Sequence, residues 1–143
     1  MRYLLDTCLI SELVRPRPDT GVLDWIGRQQ ESHLFLSVLT IGELRKGIEH
    51  LADGRKRTRL ANWLDNEMKV RFAGRLLPVD EEVAERWGIV SARAAVNGLA
   101  VPVIDGLIAA TALTHGMTVV TRNTPDVEAA GALVCNPWST QHD

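Results

Sequence analysis

Four carboxylates in this 143-residue chain stand just past short apolar runs: Asp6 after Tyr-Leu-Leu, Glu43 after Leu-Ser-Val-Leu-Thr-Ile-Gly, Asp105 after Val-Pro-Val-Ile, and Asp126 after Val-Val-Thr-Arg-Asn-Thr-Pro. In an open α/β fold the carboxyl ends of parallel strands converge on one crevice, so acids far apart in sequence can meet there. Two carboxylates about 4 Å apart repel by about 4 kcal/mol at an effective dielectric near 20, a cost that a cation removes. The expected ligand is a hard divalent ion, Mg2+ or in its place Mn2+. Oxygen donors suit both, and His33, His50, His115 and His142 are too scattered for a zinc set. Carboxylates holding such an ion serve phosphodiester hydrolysis, which makes nucleic acid the expected substrate.

Each acid also has a structural role open to it. Thr40-Ile-Gly-Glu43 fits a capping box, in which the glutamate returns to the N-cap amide. Asp105 fits the N-cap of an alanine-rich helix, and Asp126, after Pro125, fits a turn. Asp6 is the hardest to read this way, because a carboxylate directly after an apolar strand is desolvated unless it has a partner. Thr7, Thr121 and Asn123 could support the site by hydrogen bonding to an acid or a phosphate, or serve as ordinary cap and turn residues. Arg45 and Lys46 flank Glu43 and are candidate contacts to a nucleic-acid backbone. The run Arg55-Lys56-Arg57-Thr58-Arg59 reads either as a phosphate grip or as a solvated helix face.

These residues need a scaffold of alternating strands and helices. A strand over 1–5 precedes a helical stripe at Leu9, Ile10, Leu13 and Val14 that stops at Pro16 and Pro18. Val22, Leu23 and Ile26 mark a second helix, residues 34–38 a strand, and Ile41, Leu44, Ile48 and Leu51 a third helix ending near Gly54. A charged helix over 55–72, a strand over 75–79 and a helix from about 80 to 96, closed by Asn97-Gly98, come next. Asp105 then opens a helix whose Ala109, Ala110 and Ala112 permit close packing and which Gly116 ends. Strands at 117–121 and 132–135, with a helical turn at 127–130 between them, complete the pattern. Pro137 and Trp138 fall near a loose tail from about 139 to 143. Alternation of this kind argues for a mostly parallel sheet covered by helices.

Composition narrows the function classes. With 143 residues and 45% hydrophobic content the chain fits one domain, residues 1–143. The net charge of -2 supplies no global attraction for nucleic acid, so binding needs a local basic patch. Cys8 and Cys135 form no metal-spaced set, which favours packing roles and a reducing, cytoplasmic setting. No apolar run approaches the roughly 20 residues that span a bilayer, so no membrane partner is expected. Trp25, Trp63, Trp87 and Trp138 are expected in the core or at a dimer interface rather than stacked on bases. P-loop, dinucleotide, nucleophile-elbow and zincin motifs are absent. A phosphoryl-aspartate enzyme would want a second aspartate two residues after Asp6, where Cys8 stands.

The segments Leu-Leu-Asp6-Thr7-Cys8-Leu-Ile-Ser11-Glu12, Ser37-Val-Leu-Thr-Ile-Gly42-Glu43-Leu-Arg-Lys-Gly47, Asp105-Gly-Leu-Ile-Ala-Ala-Thr-Ala and Thr121-Arg122-Asn123, in this order, resemble the PIN-domain ribonucleases. They are most similar to the VapC and FitB toxins of bacterial type II toxin-antitoxin pairs, and Cys135-Asn136-Pro137-Trp138 resembles the FitB branch. The resemblance implies an α/β PIN-like fold, with about five parallel strands sandwiched by helices. It also implies Mg2+-dependent endoribonuclease activity, a homodimer, and neutralisation by an antitoxin protein that binds operator DNA. Carried over by position, Asp6 and Asp105 are the principal metal ligands, Glu43 completes the acidic set and Asp126 is the fourth acid, with Asn123 beside it. The competing expectation is a catalytically silent PIN-fold module acting only through antitoxin and operator DNA. A flap-cutting DNA nuclease is less favoured, since no extra segment is present to thread a flap.

Overall fold

The computed structural model of the chain describes residues 1–139. Strands β1 (Tyr3–Leu5), β2 (Leu34–Ser37), β3 (Leu76–Leu77), β4 (Thr118–Val120) and β5 (Val134–Cys135) form one parallel sheet in the order β3-β2-β1-β4-β5. The chain steps outward from β1 to β3 on one side, then crosses to β4 and β5 on the other. The direction of winding therefore reverses between β1 and β4, and a crevice opens at their carboxyl ends. Asp6 follows β1 and Thr121 follows β4, so both stand at that point.

Strand residues alternate between the two faces, as the pleat requires. Leu5, Leu34, Leu36 and Val120 pack against Leu9 and Ile10 of α1 (Thr7–Leu13), Val22 and Trp25 of α2 (Thr20–Gly27), Leu44 and Ile48 of α3 (Val38–Glu49), and Leu64, Met68 and Phe72. Leu4 and Val119 face Val90 of α6 (Glu81–Val96), Ile108, Ala109 and Ala112 of α7 (Val103–His115), and Val127 of α8 (Thr124–Ala129). Leu4 and Leu5 are both fully buried, each burial being worth about 1.5–3 kcal/mol. The expected sandwich is thus the observed one, and the near-continuous apolar strands follow from coverage on both faces.

Local sequence explains where the helices begin. Ser37 ends β2 and caps α3 in one step, its hydroxyl accepting from the Leu39 N–H at 3.0 Å. Asp80 caps α6 by accepting from the Val83 N–H at 3.0 Å. Asp105 does not cap α7: Pro102 holds that position, and Asp105 lies within the first turn. Its neighbour Gly106 is buried, and a Cβ there would meet the Trp87 indole at 3.1 Å, so glycine allows α7 to press onto α6. Gly116 ends α7 in the left-handed region at φ 66°.

The strands are shorter than the apolar runs, notably β3 and β5 at the sheet edges. The charged helix divides into α4 (Arg55–Trp63), a π turn at Leu64–Met68 and α5 (Lys69–Arg71). The last helical turn starts three residues earlier than its apolar pattern, at Thr124 with Pro125 in its first turn. Trp138, expected near a loose tail, is 8% exposed and belongs to the core; its Nε1 donates to Glu12 Oε1 at 3.3 Å. Ser139 is also held, its backbone N–H donating to Asp19 Oδ2 at 2.9 Å and its hydroxyl accepting from the Gly21 N–H at 3.0 Å. Residues 140–143 of the expected tail lie outside the described residues. Among the described residues no helix is long and apolar enough to cross a membrane.

Candidate active site

Asp6 caps α1, accepting from the Thr7 N–H through Oδ1 at 2.8 Å, while Oδ2 accepts from the fully buried Thr121 hydroxyl at 2.8 Å. With its backbone N–H on Val120 O at 3.0 Å, this 7%-exposed carboxylate is pinned between the two central strands. Thr121 is fixed in turn, because its hydroxyl accepts from the Asn123 N–H at 3.0 Å.

Glu43 enters from the adjacent helix. The capping box expected at Thr40-Ile-Gly-Glu43 does not form, since α3 starts at Val38 and both residues sit inside it. Thr40 is buried with its hydroxyl 3.1 Å from that of Thr7, and Thr7 donates to Glu43 Oε1 at 2.5 Å. A neutral hydroxyl therefore orients the glutamate towards Asp6 without cancelling its charge. Asp105 and Asp126 arrive from the first turns of α7 and α8 rather than from strand ends, where helix N-termini favour negative charge. Asn123 joins them, its Nδ2 donating to Asp105 Oδ2 at 3.2 Å and to Asp126 Oδ2 at 3.0 Å.

Asp6, Thr7, Cys8, Glu43, Asp105, Arg122 and Asn123 line one open cavity. Burial, reinforced by the charges of Asp6, Asp126 and Glu43, raises Asp105 to about 6. Among the described residues none of the four acids makes an ion pair. As they are placed, no three acidic, histidine or cysteine side chains among the described residues stand together closely enough to hold a metal ion. An open set of carboxylate oxygens suits Mg2+, which keeps several waters and takes one or two carboxylates together with substrate phosphate. The donor set thus fits a hard divalent ion.

The remaining expectations divide. Arg45, on α3, is taken up by an ion pair with Asp65, which Lys69 also contacts at 3.0 Å. Lys46 is exposed and does not line the acid cavity. In the basic run, Arg57 is bound to Glu49 and Asp53, each at 2.7 Å, while Lys56 and Arg59 line a neighbouring cleft that shares Glu43. Trp25 and Trp138 are buried in the core, as expected of packing residues.

Two further residues line the cavity: Cys8, expected to pack, and Arg122, which the sequence reading gave no role. Cys8 places Sγ 3.5 Å from Thr121 Oγ1 and 3.8 Å from Asp6 Oδ2. Burial and then the Asp6 charge push its thiol up, so it packs as a neutral group. Among the described residues Arg122 is the only basic one on the cavity wall, and its position between Thr121 and Asn123, both expected at the site, was the available signal.

A family model for the PIN domain matches residues 3–128. A VapC ribonuclease of Sinorhizobium fredii is 42% identical over 135 residues, covering 94% of this chain and 96% of the relative. Toxin FitB of Neisseria gonorrhoeae is 41% identical over 135 residues, covering 94% and 97%. A solved structure of FitAB bound to an IR36 DNA fragment superposes with a TM-score of 0.92 at 39% identity, covering 98% of each chain.

Proposed function

The chain belongs to the PIN-domain family, and from that premise we propose that it is the toxin of a type II toxin-antitoxin pair, a divalent-metal-dependent endoribonuclease. The observation that carries this reading is the convergence of Asp6, Glu43, Asp105 and Asp126 with, among the described residues, no cationic side chain paired to any of them. The relatives named as a VapC ribonuclease and as toxin FitB support it.

In this reading Asp6 and Asp105 hold Mg2+, or Mn2+ in its place, with Glu43 and Asp126 completing the set. When bound, the ion activates water and stabilises the charge that develops on the phosphate. The chain itself supplies position. Thr121 and the Thr7 amide fix the Asp6 carboxylate, Thr7 aims Glu43, and Asn123 ties Asp105 to Asp126. These neutral donors orient the ligands while leaving their charge for the ion.

The DNA-bound FitAB structure supports an antitoxin partner that takes the pair to operator DNA. Exposed apolar side chains on α6, α7 and their connection, Ile89, Val96, Leu99 and Val103, support a homodimer. The nuclease is tested by incubating total RNA with purified, antitoxin-free protein in Mg2+, Mn2+ or chelator. Cutting in either metal and none in chelator is expected. Folded protein that binds antitoxin and DNA but cuts nothing would favour the silent module.

A further inference from the structure

Arg122 lines the acid cavity yet makes no ion pair among the described residues. Its backbone is fixed, the amide donating to Cys8 Sγ at 3.5 Å, and its guanidinium carbon lies 5.4 Å from the centre of the Trp138 ring. The indole cannot swing away. It is 8% exposed, and its Nε1 is bound to Glu12, a 5%-exposed carboxylate that also accepts from the Asp19 N–H at 2.9 Å. Glu12, Trp138 and Arg122 thus form a chain of contacts running from the core to the cavity wall.

This arrangement decides between two fates for the cation. An arginine paired with Asp6 or Asp105 would cancel their charge and compete with a metal ion. Stacked on an aromatic face, the guanidinium is attracted by the ring quadrupole, keeps its N–H donors at the edge, and stays off the carboxylates. A planar fork of free donors beside an acidic centre suits an anionic oxygen brought in by substrate, and a phosphate presents that geometry. Arg45 offers no such fork, because Asp65 occupies it.

We propose that Arg122 binds a backbone phosphate of the RNA beside the acid cavity, and that Trp138 is the positioning residue that holds it there. The proposal rests on the nuclease reading and assigns the substrate grip to the carboxyl end of β4.

Affinity for a short fluorescent single-stranded RNA is measured by anisotropy with Mg2+ present, in an Asp105→Asn background that does not cut, at several salt concentrations. Arg122→Gln should weaken binding roughly 10- to 100-fold, the range for a hydrogen bond to a charged group, and lower the salt slope by about one. Arg122→Lys should restore the slope but only part of the affinity, since it keeps the charge and loses the fork. Trp138→Leu should bind roughly 2- to 5-fold more weakly than the background, the size of an exposed cation-π contact, and Trp138→Phe, which keeps a ring face but loses the bond to Glu12, should fall between the two. Mn2+ affinity, measured by calorimetry with Arg122 changed alone, should stay at the wild-type value. Unchanged RNA affinity in Arg122→Gln, from a protein whose parent chain cuts RNA, overturns the proposal and leaves the nuclease intact. Lost Mn2+ affinity overturns it too, by making Arg122 a support of the acids. A parent chain that neither binds nor cuts RNA overturns both readings.

Discussion

Glu31 and Asp105 are carboxylates with opposite surroundings. Glu31 accepts from Arg71 Nε and Nη2 at 2.9 Å each and from Arg75 Nη2 at 2.9 Å. Arg71 first, with Arg75 assisting, holds it down to about 2 against the opposing effect of burial. Asp105 has an amide for company and three further acids around it, and burial followed by those charges lifts it to about 6. One site satisfies its charge from within the chain. The other accumulates charge, and among the described residues no cationic side chain pairs with it, which in a cleft points to a functional site rather than a structural ion pair.

The sharpest break in this contrast is Asp6→Asn. Asparagine still caps α1, so the melting temperature should stay close to that of the parent, while RNA cleavage should fall at least ~100-fold, the loss expected when transition-state charge stabilisation is removed. Comparable cleavage by the variant would place Asp6 with Glu31 as a structural acid. Glu43→Gln should behave alike, with cleavage down by about 10-fold or more and a melting temperature near the parent's. Glutamine keeps an acceptor for Thr7 but loses the charge. A large stability loss with normal cleavage would make Glu43 a packing residue.

The pH dependence of stability should separate the two sites by sign. Asp105 ordinarily titrates at 3.8 but at about 6 in the fold, so the folded chain binds the proton more tightly than the unfolded one. Its contribution is most favourable below 3.8 and is lost as pH rises through about 6. Metal-free Asp105→Asn should therefore melt higher than the parent at pH 7.5 and gain little at pH 4, as differential scanning fluorimetry would record; an equal gain at both would refute the charged cluster. Glu31 runs the other way, from an ordinary 4.5 down to about 2. Its stabilisation is complete above 4.5 and lost as pH falls towards 2. Glu31→Gln should cost about 1 kcal/mol at pH 7, given the exposure of the pair. Cleavage should be unaffected, and an unchanged melting temperature would show the arginines to be idle.

The sheet and its helices were readable because period, caps and glycine stops agreed, as at Asp80, Gly98 and Gly116. Glu43 was misread locally because β2 runs into α3 without a loop, so the cap moved to Ser37 and left Thr40 buried. The cap open to Asp105 was placed too late, because the apolar run Val-Pro-Val-Ile looked like the approach to the helix; Pro102, a natural boundary residue, starts the helix before Val103 and Ile104. Trp138 was expected to pack, but nothing local showed against what. Its burial depends on Glu12, 126 residues away in sequence, and only the folded chain brings the two together. Arg122 depends on the same contact, so its role was legible only as a neighbour of Thr121 and Asn123.

The most direct measurement is calorimetric titration of Mn2+ into metal-free protein at pH 7.5, with Asp6→Asn and Asp105→Asn alongside and the melting temperature followed throughout. Saturable binding that raises the parent's melting temperature, and is lost or greatly weakened in both variants, is the expected result. Folded parent protein that shows no saturable binding, or variants that bind as the parent does, would contradict the assignment of the four acids as a metal site.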